Sequence, residues 1–178
     1  MKWGLDFLNL MTLEEKIMVI FVTGHRPAKL FGYNLNNPGW IALKEKIKQI
    51  LVEQQCTKGI SGMALGTDTI FALAVLELRA AGYPIKLQCA IPCKNHSSKW
   101  HLQDIQLYQA ILNQADEIIL VSDTEYNKSV MQKRNIYMVD HSDKGIAVWN
   151  GSSGGTKNCI NYAEKQGKEM IYIDPLYI

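Results

Sequence analysis

Six short apolar runs recur along the chain, separated by amphipathic runs long enough for several helical turns. The first, "KIMVIFVTG" (16–24), is rich in β-branched residues, free of charge after its opening lysine and closed by glycine, the pattern of a strand buried on both faces. "KGISG" (58–62), "PIKLQCAIP" (84–92), "EIILVS" (117–122), "KGIAVWN" (144–150) and "EMIYID" (169–174) follow suit. Between them, "PGWIALKEKIKQILVEQQ" (38–55) sets Trp40, Leu43, Ile47, Ile50 and Leu51 on one helical stripe behind Pro38. Residues 66–82, 97–115, 128–142 and 154–167 also read as helices, with Gly82 as a C-terminal cap and Ser97 or Ser98 as an N-terminal one. Strands alternating with helices require right-handed crossovers and a parallel sheet covered on both faces. The expected fold is therefore α/β: a single Rossmann-like three-layer sandwich with a mainly parallel sheet, spanning residues 16–178, preceded by an N-terminal extension at residues 1–15.

A chain of 178 residues is long enough for one such domain and its core. The net charge of +2 argues against a nucleic-acid partner, for which a basic face is expected. No apolar run approaches the roughly 20 residues of a membrane span, and "MKWGLDFLNLMTLEEK" lacks the features of a signal peptide, so a cytoplasmic protein with no membrane partner is expected. Cys56, Cys89, Cys93 and Cys159 do not make two close ligand pairs and read as buried thiols. His25, His96, His101 and His141 are scattered, and neither a metal nor a resident cofactor is expected.

In open parallel sheets, ligands bind outside the carboxyl ends of the strands. Four segments fall there: "TGHRP", "SGMALGTD", "IPCKNHSSKW" and "NGSSGGT". The last places Gly151, Ser152, Ser153, Gly154, Gly155 and Thr156 at the mouth of a helix, where free N–H groups and the helix dipole favour an anion. Ser152, Ser153 and Thr156 add hydroxyl groups, and Thr156 is a candidate helix cap. Gly62 and Gly66 make the second strand end similarly bare. Asp68 reads either as an acid stabilising a first helical turn or as a hydrogen-bond acceptor for a ribose hydroxyl. After the first strand, Thr23 and Gly24 lead into His25, a candidate acid or base, and Arg26, which either forks onto a phosphate or lies exposed in its loop. Neither G-x-G-x-x-G nor a Walker loop is present. On the fourth helix, Arg134 and Asn135 lie between apolar positions, and Asp140 follows near its end; polar groups facing a sheet imply a ligand or a partner.

Taken together, "VTGHRP", "SGMALGTD", Trp100 with Asp104 and Tyr108, "MQKRNIYMVDHSD" and "IAVWNGSSGGT" resemble the YpsA-like branch of the SLOG superfamily, across roughly residues 17 to 174. That superfamily groups Rossmann-like domains related to the LOG phosphoribohydrolases and to DprA. The resemblance implies a pocket for a nucleotide or nucleotide-derived ligand, with "GSSGGT" as the phosphate cradle, and a homo-oligomer, dimer or higher. Arg134 aligns with an arginine that the LOG enzymes need. Their catalytic glutamate, three residues after Gly-Thr, is here Cys159, and a neutral thiol cannot steady a ribosyl cation. Asp68, Asp104 or Asp140 would have to replace it. The expected function is thus binding of an ADP-ribose-like or cyclic nucleotide signal, as sensor or sequestering protein, through Thr23, Gly24, His25, Arg26, Gly62, Gly66, Asp68, Trp100, Arg134 and residues 151–156. LOG-type N-glycosidase activity, with Arg134, Asp68 and Asp104 as catalytic candidates, is the alternative, and single-stranded DNA binding as in DprA comes third. The aromatic residues Trp40, Trp100 and Tyr33 read as surface candidates for assembly or base stacking.

Overall fold

A sheet whose strands all run parallel organises the molecule, in the order β4-β3-β2-β1-β5-β6. The computed structural model describes residues 16–178, so the extension expected at residues 1–15 lies outside the described residues. The strands are β1 (Val19–Gly24), β2 (Lys58–Ser61), β3 (Lys86–Ile91), β4 (Glu117–Leu120), β5 (Lys144–Val148) and β6 (Glu169–Ile173). The helices are α1 (Pro38–Glu53), α2 (Thr67–Ala80), α3 (Leu102–Leu112), α4 (Lys128–Asp140) and α5 (Gly155–Lys165).

Alternation along β1 explains the three layers, because successive side chains of a strand point to opposite faces. Ile20 and Val22 join Trp40, Leu43 and Ile47 of α1, Phe71 and Val75 of α2 and Ile111 of α3 in the larger core. Phe21, between them, joins Met138 and Val139 of α4 and Cys159 and Ala163 of α5 in the smaller one. Each fully buried side chain of this size contributes about 1.5–3 kcal/mol relative to exposure.

The chain winds outward from β1 to β4, then crosses back to lay β5 on the other side of β1. This reversal, the Rossmann-like α/β arrangement expected, opens a crevice between the carboxyl ends of β1 and β5.

Two expectations change. The third helix begins at Leu102 rather than near residue 97, and Ser97 and Ser98 are not its caps; His101 precedes it, without a side-chain cap. Residues 94–100 turn instead, because His96 Nε2 bonds the Met63 carbonyl at 3.0 Å and the His96 ring packs edge-on against Trp100. Trp40 is no surface residue: it is 0% exposed, and its indole N–H donates to the Gly32 carbonyl at 2.8 Å.

Candidate functional site

Where β1 and β5 diverge, a cleft of about 400 Å³ opens. Its walls come from four places: Val22 to Arg26 with Ala28 and Lys29 after β1, Ala64 and Asp68 around the start of α2, Met131, Arg134, Asn135 and Met138 on α4, and Ser153 to Thr156 at the start of α5. Three of the four strand-end segments singled out in the sequence thus meet. The segment after β3 stays behind the cleft, where His96 supports the Met63 carbonyl.

Helix α5 opens onto this cleft without a side-chain cap. Thr156 therefore does not cap it; it lies buried in the first turn, behind an N-cap at Gly154. The N–H groups of Gly155, Thr156 and Lys157 make no backbone bond among the described residues, the first return bond being Asn158 N–H to the Gly154 carbonyl at 3.0 Å. Gly154, at φ +137°, has a backbone conformation that favours glycine. Gly155 has no such constraint, and a Cβ placed on it would meet nothing within 4 Å. Nothing in the packing of the fold requires glycine there.

The turn leading into α5 is held from below. The Trp149 indole N–H donates to the Ser152 carbonyl at 2.7 Å, and the Ser152 N–H donates to Asn150 Oδ1 at 3.1 Å. His25 closes the arrangement: its Nε2 lies 2.7 Å from Asn150 Oδ1 and 3.4 Å from Ser152 Oγ. Its backbone N–H donates to the Val148 carbonyl at 3.3 Å, and its carbonyl accepts from the Thr67 hydroxyl at 3.1 Å. The sequence offers His25 no acidic partner, and in the structure its ring meets an amide. It joins three strand-end loops. Beside it Arg26 is exposed and makes no ion pair among the described residues, as does Lys29.

Asp68 and Arg134, each 5% exposed, meet across the cleft floor with Asp68 Oδ2 3.4 Å from Arg134 Nη1. Arg134 Nη1 also donates to the Gly62 carbonyl, and its Nε to Asn135 Oδ1 at 3.0 Å. The Ala64 N–H donates to Asp68 Oδ2 at 3.1 Å. Burial pushes the Asp68 carboxyl above its ordinary range, against the pull of the Arg134 charge, the Ala64 N–H and the Arg26 charge. Losing one partner of such a pair leaves a buried charge uncompensated, which typically destabilises by ~3–5 kcal/mol.

Cys159 is fully buried among Phe21, Met138 and Ala163. Burial pushes its thiol up to about 11, the Thr23 hydroxyl and Arg134 pulling the other way. It is a neutral core group and supplies no charge to the cleft.

The remaining expected site residues fall elsewhere or do other work. Trp100 and Asp104 do not line the cleft; with Tyr33, Gly66 and Tyr108 they line a separate shallow groove. Asp140 is exposed, accepts from the Tyr162 hydroxyl at 2.9 Å and does not line the cleft. Gly62 is bare for Arg134, whose guanidinium would clash with a Cβ there, and Gly24 for Thr67, whose hydroxyl would lie 2.5 Å away. Gly151 and Ser152 shape the turn without lining the cleft. Asn135 and Lys29 line it but are absent from the residues expected to bind; the sequence signal for Asn135 is a polar residue beside Arg134 on the buried side of a helix. Among the described residues, no helix is long and apolar enough to cross a membrane.

Comparison with known proteins agrees with this architecture. The SPbeta prophage-derived protein YoqJ of Bacillus subtilis is 36% identical over 146 residues, covering 74% of this chain and 85% of that protein. A UPF0398 protein of Brevibacillus brevis is 28% identical over 146 residues, covering 80% of this chain and 78% of its own. DNA processing protein A of Streptococcus pneumoniae superposes with a TM-score of 0.63 at 17% identity, over 89% of this chain and 51% of that one. DNA processing protein A of Helicobacter pylori, described with a single-stranded DNA binding mode, gives 0.63 at 17% identity, over 88% of this chain and 65% of that one. This chain thus spans about half to two thirds of those proteins, and at such identity the likeness is one of fold. The YpsA family model, described as the YspA SLOG family, matches residues 20–176, and the chain belongs to that family.

Proposed function

We propose that the cleft binds a phosphate-bearing, nucleotide-derived small molecule, as a sensor or a sequestering protein. One observation carries this reading: α5 presents uncapped N–H groups to the cleft through a glycine that the fold does not require, and Arg26, free of ion pairs among the described residues, lines the same cleft. A phosphate there would take N–H bonds, the helix dipole and a guanidinium fork together. A homo-oligomer belongs to the same reading, supported by exposed Ile118 and Leu120 on the edge strand β4; light scattering on the purified protein tests it.

The test of binding is direct. The purified protein is incubated with nucleoside monophosphates, NAD, ADP-ribose and cyclic ADP-ribose isomers, separated from excess, heated, and the released molecules are identified by mass spectrometry. Recovery of one intact molecule in proportion to protein, lost in Arg26→Ala, supports the reading. Failure to retain any member of the panel sinks it.

A second reading, hydrolysis of an N-glycosidic bond, is favoured by the Asp68 carboxylate that lines the cleft beside Arg134. Asp68 is then the candidate for the work of the glutamate that Cys159 replaces, since Asp104 lies outside the cleft. Free base and ribose phosphate in excess over protein would establish turnover in the same experiment. Single-stranded DNA, the ligand named for the Helicobacter pylori neighbour, is a further arm: a labelled oligonucleotide should not be retained.

A further inference from the structure

The cleft floor holds a second recognition element, distinct from the start of α5. Asp68, Arg134 and Asn135 are 5%, 5% and 9% exposed, and all three line the cleft. Their mutual bonds use only some of their polar atoms. Asp68 Oδ2 accepts from the Ala64 N–H and Arg134 Nη1. Arg134 donates through Nη1 and Nε, and Asn135 accepts through Oδ1. Asp68 Oδ1, Arg134 Nη2 and Asn135 Nδ2 make no bond to the described residues, yet no buried side-chain nitrogen or oxygen among those residues is left without a partner. These three atoms therefore keep some exposure, on residues that line the cleft.

The set is one anionic acceptor accompanied by a cationic and a neutral donor. A phosphate fits it poorly, because the Asp68 carboxylate repels it. An apolar surface would strand all three atoms away from water, which is costly for buried polar groups. A hydroxyl both donates and accepts. Two neighbouring hydroxyls can donate to Asp68 Oδ1 while accepting from Arg134 Nη2 and Asn135 Nδ2, and a ribose carries such a pair.

We propose that Asp68, Arg134 and Asn135 form a ribose-hydroxyl subsite, so that the cleft takes ribonucleotide-derived ligands and rejects their 2′-deoxy counterparts. The proposal rests on the phosphate-binding reading of the same cleft and specifies the sugar that accompanies the phosphate. It also separates this cleft from DNA recognition on chemical grounds, since DNA lacks the 2′-hydroxyl. A site built to hydrogen-bond a hydroxyl rejects an analogue lacking it, because its own buried groups are then left unpaired.

Calorimetric titration of the full chain with AMP, 2′-deoxy-AMP, ribose 5-phosphate and 2-deoxyribose 5-phosphate tests it. The expected result is that each ribo form binds about 10- to 100-fold more tightly than its deoxy partner. Asn135→Ser, which leaves the Asp68–Arg134 pair in place, should narrow that ratio while keeping the dependence on phosphate. Asp68→Asn should narrow it further; should that variant not fold, the wild-type ratio and Asn135→Ser still decide the matter. Equal affinity for the ribo and deoxy forms overturns the subsite and leaves the phosphate reading standing. No binding of any of the four probes overturns the subsite as well, and the phosphate reading then stands or falls with the wider retention panel.

Discussion

The His25 imidazole and the Asn150 side chain, 125 residues apart in sequence, meet at 2.7 Å beneath the turn that opens α5. Through this contact the end of β1 sets the position of the residues that end β5. Because Asn150 Oδ1 also accepts the Ser152 N–H, a change at His25 is transmitted to the turn without His25 touching a ligand.

His25→Ala should therefore weaken retention of a phosphate-bearing ligand by about 10-fold, one hydrogen bond's worth, while the global fold survives. His25→Gln, which can donate to Asn150 again, should recover part of the loss. Calorimetry on the three proteins, with circular dichroism as a check of fold, decides it; equal losses in both variants would point to contact with the ligand instead.

Gly155 gives the sharpest separation of folding from binding. Its Cβ would enter open space, and alanine is the better helix former by about 1 kcal/mol in a helix interior. Gly155→Ala should thus leave the melting temperature unchanged or slightly raised, yet lower affinity for a phosphate-bearing ligand about 10-fold or more by filling the space above the N–H groups. Unchanged affinity would show that nothing approaches the backbone there.

Much of this arrangement was readable from residue order. The β-branched runs located every strand, and the bare segments after β1, β2 and β5 marked three walls of one cleft. Cys159, three residues past Thr156 and spaced like a core position of α5, was also legible as a thiol without an activator. The start of α3 was not, because it depends on His96 reaching the Met63 carbonyl, 33 residues upstream. Trp100 and Asp104 were expected at the site from the family resemblance; β3, which precedes them, lies two strands away from β1, and they line a separate groove. Asn135 was noticed beside Arg134 but not placed among the binding residues, since its partner, the Arg134 Nε, is its own neighbour and leaves no spacing signal.

His96 carries a pH dependence. Burial lowers its imidazole from 6.5 to about 4, with Arg134 and Arg26 adding to the effect and the Met63 carbonyl opposing it. As pH falls below 6.5 the unfolded chain takes up this proton first, so stability declines until the folded imidazole titrates near 4. The full loss is on the order of 3 kcal/mol. His96→Gln, able to donate to the same carbonyl, should flatten this slope between those pH values; comparison with wild type in urea unfolding cancels the other titrating groups. Parallel slopes in the two proteins would refute it.

Cys159 should resist alkylation in the native state. With the thiol pushed up to about 11 and fully buried, iodoacetamide at pH 8 should modify it at least about 100-fold more slowly than in urea. Peptide mass spectrometry reads the site directly. Rapid native labelling would mean a reactive thiol open to the cleft.

The reversal of strand order between β1 and β5 also governs when the site comes into being. A chain can pair β1 through β4 progressively, but the turn after β5 reaches its place only once β5 has inserted beside β1. Pairings so distant along the chain are slow to form. A ligand of the proposed kind would therefore find the cleft incomplete until β5 is paired. Its influence would fall on the completed molecule, held against opening by mass action, so that ligand supply would set how long each copy persists rather than how fast it matures.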